Sequence, residues 1–291
     1  MRIAGRWAAD YTARFSQRNQ QMRFVMALPA LLALVLAGCQ TVQTTRAGAV
    51  GVDRQQSMFS MMSAQQVDQM YAQSYRQTLG EAAQKRTLNS RQDLVPRLRK
   101  VSQRLIAQVG HFRDDAAGWA WEVNLVDAPE VNANCGPGGK ILVYSGLFDK
   151  LSLSDDELAA VVGHEIAHAL REHGREAMSK AYGVQMAENA AGALLGLGQD
   201  TMALASTVVQ YSMTLPNSRT NEKEADLIGL ELAARAGYDP RAALSLWQKM
   251  GSQGGGQPPE FMSTHPASST RMQAIQAALP QVLPLYQAAQ E

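Results

Sequence analysis

The 291-residue chain carries 27 Lys and Arg against 26 Asp and Glu, a formal net charge of +1, and 46% of it is hydrophobic. That composition supplies one globular domain of ordinary size with appendages. The balanced charge, with no long basic run and no RNA-binding aromatic signature, gives no support for a nucleic-acid partner.

Phe24 to Ala37 is apolar, too short for a comfortable spanning helix, and ends in Leu36-Ala37-Gly38-Cys39. Small residues directly before a Cys resemble the lipobox of bacterial lipoproteins. The resemblance implies a signal peptide over 1–38, cleavage before Cys39 and acylation of that residue, with Met22 as the translation start that best accounts for the long leader. A plain secretory signal or an uncleaved anchor is the competing reading. By the same resemblance Gln40, in place of Asp, favours the outer membrane, so the expected location is periplasmic, held to outer-membrane lipid through Cys39. With Cys39 acylated, Cys135 has no partner for an intrachain disulfide and reads as a small packed residue.

Residues 39–62 are polar, with scattered Gly, Thr and Gln, and read as the lipidated N-terminus and tether. Residues 63–90 read as an N-terminal helical extension, since Val67, Met70, Tyr71, Tyr75 and Leu79 fall at helical spacing. The main folded domain is expected over 91–291. It opens with a helix from about Leu94 to Ile106, Pro96 lying in its first turn. Trp121 to Val126 alternates like a half-buried strand, Gly136-Pro137-Gly138-Gly139 marks a tight turn, and Ile141 to Tyr144 is a short strand beyond it. If that last strand is an edge, its free pairing groups can bind an extended peptide.

The chain is organised around His164-Glu165-Ile166-Ala167-His168. On a helix two imidazoles four residues apart project from one face and reach one zinc ion, while the Glu between them polarises water there. Ser154 with Glu157 forms a capping box, Leu153 with Leu158 a hydrophobic staple, and Leu158, Val161, Val162, Ile166 and Ala169 form one apolar stripe. His173 lies nine residues after His164, out of register for a metzincin third ligand, and reads as a polar residue near a helix end. Residues 181–215 are rich in Ala, Gly, Leu and Met, but the apolar run is interrupted by Glu188, Asn189, Gln199 and Asp200, which favours close-packed helices over a membrane span.

In Asn221-Glu222-Lys223-Glu224-Ala225-Asp226, Glu222 and Asp226 share a helical face with Gly229 and Ala233, while Glu224 points nearly the opposite way. Small residues on that face let the helix lie close to the histidine helix. Glu222 then completes a two-His, one-Glu ligand set with one vertex open, and Asp226 orients a ligand imidazole.

His-Glu-x-x-His, a later Glu-x-Glu-Ala-Asp, a still later Thr264-His265-Pro266 and the Asn-Ala-x-x-x-Pro-Gly-Gly stretch resemble metallopeptidase family forty-eight over roughly residues 90 to 280. The resemblance implies an α+β, mainly helical gluzincin core with a small β-sheet packed over the His-Glu-x-x-His helix. It implies zinc as cofactor, one ion per chain, with Glu222 as ligand beside His164 and His168 and Glu165 as catalytic base. It places His265 near the metal, either stabilising the oxyanion or filling the open vertex in a resting form. Arg271 either adds positive charge there or makes a structural salt bridge. The expected activity is a zinc metalloendopeptidase of the cell envelope, acting on unfolded or misassembled envelope proteins. The alternative is a chaperone-like or assembly-factor module serving the outer-membrane assembly machinery with little proteolysis.

Overall fold

A computed structural model describes residues 39–59, 62–194, 218–252, 260–266 and 268–291. The expected signal peptide, the end of the Ala-rich stretch and most of the Gly-rich loop before Pro259 lie outside the described residues. In chain order the elements are β1 (Cys39–Val42), β2 (Gln56–Phe59), α1 (Ala64–Gln84), α2 (Val95–Ile106), β3 (Glu122–Val126), β4 (Ala133–Gly136), β5 (Lys140–Tyr144), α3 (Gly146–Leu151), α4 (Asp155–Leu170), α5 (His173–Leu194), α6 (Arg219–Arg235), α7 (Ala242–Ser252), α8 (Glu260–Thr264) and α9 (Ser269–Ala288). The fold is mainly helical with small sheets, as expected from the sequence. Among the described residues no helix is long and apolar enough to cross a membrane.

α4 starts where the capping box puts it. Ser154 Oγ accepts from Glu157 N at 3.1 Å and Glu157 Oε2 accepts from Ser154 N at 2.8 Å. Asp155, Asp156 and Glu157 place negative charge at the positive end of the helix dipole. Beyond the first turn α4 is buried on nearly every side rather than along one stripe: Leu158, Val161, Val162, Ile166, Ala167 and Leu170 are fully enclosed, and the histidine face is buried. Each enclosed Leu, Ile or Val contributes about 1.5–3 kcal/mol relative to exposure.

α6 provides the closest cover. The two helices meet backbone to backbone at Gly163 and Gly229, where a Cβ on Gly229 would stand 2.7 Å from His164 N and 2.8 Å from Gly163 C. The small-residue face of α6 is what allows this approach. It also sets Glu222 and Asp226 directly against the α4 histidines.

The larger sheet has strand order β3-β5-β4, with β3 parallel and β4 antiparallel to β5. The strand at Ile141–Tyr144 is therefore central, and the strand beside α4 is β4, a four-residue edge of Ala, Asn, Cys and Gly. Ala133 and Cys135 face the main core with α4, whereas Tyr75 and Leu142 belong to a second, smaller cluster with Tyr71 of α1. α1 thus covers the outer face. Tyr71 Oη donates to Asn134 Oδ1 at 2.6 Å, and its ring fills the space above Gly136 that a side chain would need.

The polar stretch 39–59 does not run free as a tether. β1 and β2 form an antiparallel hairpin, its long connection buries Val50 and Val52 in the main core, and Val50 N donates to buried Glu231 at 3.0 Å. Polar composition signalled a linker, but here the polar groups bond inward to α5 and α6.

Candidate metal centre

His164 and His168 lie one turn apart on α4, with Nε2 atoms 3.1 Å from each other. Glu222, from the first turn of α6, brings Oε1 within 3.4 Å of His168 Nε2 and Oε2 within 3.5 Å of His164 Nε2. His265, which closes α8, places Nδ1 3.2 Å from His164 Nε2 and 3.0 Å from Glu222 Oε1. Donor atoms bound at about 2.0–2.1 Å around one tetrahedral cation stand about 3.3 Å apart. These spacings match that edge length, so the four buried residues could hold one metal ion.

The surroundings fit the same chemistry. His164 Nδ1 lies 3.1 Å from Asp226 Oδ1, a carboxylate whose charge favours a proton on that nitrogen over Nε2, although the pair is not aligned as a hydrogen bond. Asp226 is clamped by Arg271, whose Nε and Nη2 donate to its two oxygens at 2.6 and 2.7 Å. The Arg271 guanidinium also stacks 3.9 Å from the Trp247 ring centroid, and Nη1 stands 2.8 Å from Glu222 Oε2. Arg271 therefore joins the salt bridge to Asp226 with positive charge at the centre itself.

Glu165 keeps its Oε1 buried without a hydrogen bond, whereas Glu222 Oε2 is ion-paired with Arg271. An unsatisfied buried carboxylate oxygen is costly, and a cation or a polarised water at the centre removes that cost. Glu165 Oε1 is 3.6 Å from His265 Nε2. His265 is held by its neighbours: the Phe261 ring stacks on it at 4.5 Å, and Phe261 N donates to Val131 O at 3.1 Å, tying α8 to the chain entering β4.

Residues 93–279 match Peptidase family M48. The chain belongs to peptidase family M48. It is 38% identical over 185 residues to a protein of Arabidopsis thaliana named mitochondrial metalloendopeptidase OMA1, covering 63% of this chain and 36% of that protein. To the metalloprotease LoiP of Escherichia coli K12 it is 28% identical over 249 residues, 84% of this chain and 92% of LoiP. To the β-barrel assembly-enhancing protease of Escherichia coli O157:H7 it is 32% identical over 162 residues, 51% of this chain and 32% of that protein. The chain spans between a third and about half of the length of the OMA1 proteins it matches in plants, yeasts and mammals.

M48 peptidases use zinc, and the donor set here, imidazoles with one carboxylate, suits that ion. The electrostatics of the M48 site separate its groups. Burial lifts the Glu165 carboxyl above the usual range, against the pull of His265 and His164. Burial raises Glu222 too, but bonds from His164, His168 and His265 outweigh it and hold Glu222 far below the usual range. Burial drives His168 down to about 3, whereas at His164 the neighbouring Asp226 and Glu222 overcome burial and push it up to about 9, so a metal ion binding at its Nε2 must displace a proton. The Cys135 thiol is pushed well up by burial and by the nearby Glu165 charge, and it packs in the main core.

Two residues around this centre escaped sequence reasoning. His173 is fully enclosed instead of sitting at an exposed helix end, and its Nδ1 lies 2.9 Å from His168 Nδ1. Glu224 does point away from the centre, but into a buried cluster with His173, Arg171 and Arg54. The one sequence signal for this pairing is the acidic triplet itself, in which a second buried carboxylate follows Glu222 by two residues.

Proposed function

We propose that this chain is a zinc metalloendopeptidase whose metal ligands are His164, His168 and Glu222. The observation that carries the reading is the convergence of those three side chains, from two helices in backbone contact, beside the unpaired Oε1 of Glu165. Zinc, when bound, supplies Lewis acidity toward the scissile carbonyl and the attacking water. Glu165 takes the proton of that water and returns it to the leaving amine, a transfer favoured by its raised affinity for protons. Asp226, held by Arg271, keeps the His164 ring in its binding orientation. Edge strand β4 offers backbone groups to an extended peptide, which favours unfolded or misassembled clients over folded ones.

The Cys39 lipobox supports a place in the bacterial envelope, anchored to outer-membrane lipid, and the name of one relative, a β-barrel assembly-enhancing protease, points to the same compartment. Clients are then envelope proteins, with the outer-membrane assembly machinery as a further partner. The decisive experiment is Glu165→Gln. Purified protein should contain one zinc per chain and cleave casein until chelator is added, and Glu165→Gln should lose cleavage while keeping zinc and client binding. Unaltered function in Glu165→Gln would favour a binding module.

A specific observation also favours a resting form. His265 Nδ1 lies as near to Glu222 and His164 as a fourth ligand would, so on this reading His265 fills the open vertex until α8 moves, in place of supporting the oxyanion. His265→Ala should then raise casein cleavage. Unchanged or lowered cleavage would refute the resting form.

A further inference from the structure

Each α4 histidine needs a partner on its second ring nitrogen, and the two receive different ones. For His164 the partner is Asp226. For His168 it is His173, whose Nδ1 stands 2.9 Å from His168 Nδ1 and whose Nε2 stands 3.1 Å from Glu224 Oε2. Only one arrangement of protons satisfies both contacts when His168 Nε2 faces the centre as a lone pair. His168 Nδ1–H donates to His173 Nδ1, and His173 Nε2–H donates to Glu224. The carboxylate at the end of the chain is held as an anion by two arginines. Arg171, fully enclosed, places Nε at 3.0 Å and Nη2 at 2.8 Å from Oε2, and Arg54 pairs with Oε1 through Nε. Arg54 is itself fixed by bidentate contacts to Glu176 at 2.8 and 2.9 Å.

We infer that His173 and Glu224, locked by Arg171 and Arg54, form a positioning relay that sets the tautomer and ring orientation of His168. Resting as it does on His168 being a metal ligand, this deepens the reading above and extends the centre into the hairpin connection at the start of the described chain. His173 touches no reacting atom, and its effect is exerted through His168. A ligand imidazole whose second nitrogen loses its partner typically weakens metal affinity by about 10- to 100-fold.

The test is zinc affinity of the full chain by competition with a chromophoric chelator, alongside circular dichroism. His173→Leu should lose about 10- to 100-fold, while His173→Asn, whose Oδ1 can take the place of the lost Nδ1 acceptor, should stay within about threefold of the unaltered protein because only the Glu224 link is lost. In the unaltered zinc-loaded protein, long-range proton–nitrogen correlation spectra should show His168 protonated at Nδ1 and His173 protonated at Nε2 alone. This measurement stands even if His173→Leu does not fold. A proton on His173 Nδ1, or equal losses in the Leu and Asn variants, would overturn the relay. Undiminished affinity in His173→Leu while His168→Ala is weakened overturns the relay alone, whereas undiminished affinity in His168→Ala overturns the reading of the centre and the relay with it.

Discussion

Replacing Gly229 with Ala tests whether the backbone contact between α4 and α6 sets the ligand spacing. The added Cβ would stand 2.7 Å from His164 N and 2.9 Å from His164 Cα, where ordinary contact begins near 3.4 Å. Both neighbours are backbone of a buried helix, so the helices must part by about 0.5–0.7 Å. Overpacking of this kind costs about 1–3 kcal/mol, offset by about 1 kcal/mol from the better helix propensity of Ala. The net is about 0–2 kcal/mol, a fall in Tm of up to about 8 °C for a domain of this size. The effect on metal should be larger. Glu222, on the same helix, now stands 3.4 and 3.5 Å from the histidine nitrogens, and parting the helices takes both spacings to about 4 Å, beyond the roughly 0.2 Å tolerance of metal bonds. Zinc affinity, measured by chelator competition, should drop at least about tenfold. Gly80→Ala is the control, since that helical glycine is exposed and a Cβ there meets nothing within 4 Å; it should stabilise the fold by about 0.5–1 kcal/mol and leave affinity unchanged. If Gly229→Ala instead melts higher, as Gly80→Ala does, and binds zinc as before, the crossing has slack and the reasoning fails.

Chelation should lower Tm by mass action, since at free zinc about 1,000-fold above Kd the loaded form gains about 4 kcal/mol; an unchanged melting curve would refute coupling between metal and fold. Glu157, buried against Lys249 at 2.7 Å, titrates below its usual 4.5 because bonds from Lys249, Ser154 and Ser245 overcome burial. Its contribution is therefore complete above about pH 4.5 and lost as pH falls below it, and Glu157→Gln, which keeps the cap but not the charge pair, should cost about 0.5–1 kcal/mol at pH 7 and flatten the acid limb of a pH–stability curve. Arg271→Lys loses the fork that grips both Asp226 oxygens and should weaken zinc binding about tenfold or more despite conserving charge, read by the same chelator competition. Gly136→Ala puts a Cβ 1.8 Å from the Tyr71 ring and should cost about 2–3 kcal/mol in a denaturant titration, whereas the same change made on the Tyr71→Ala background should cost little further.

What the sequence made legible is what local periodicity encodes. The capping box at Ser154, the pair His164 and His168, and the shared face of Glu222, Asp226 and Gly229 follow from 3.6 residues per turn, and each lies where that period puts it. His173 was illegible because the chain breaks the period. Glu172, at φ 50°, takes the left-handed conformation between α4 and α5, and that turn brings His173 back against His168, which a continuous helix would not do. β4 was missed because Ala133-Asn134-Cys135-Gly136 carries no β-branched residue and little alternation. Arg54 was missed because its partners, Glu176 and Glu224, are 122 and 170 positions away, a pairing that no local pattern records.

That separation bears on how the molecule is made. Synthesis delivers the β1–β2 hairpin before the helices it docks on, yet the carboxylate that Arg54 grips is not available until position 224, 170 residues later, has been added. Bringing such distant segments together is intrinsically slow. The cation is thus expected to be captured late in maturation, once α6 has been made and the β1–β2 hairpin has returned to dock against it.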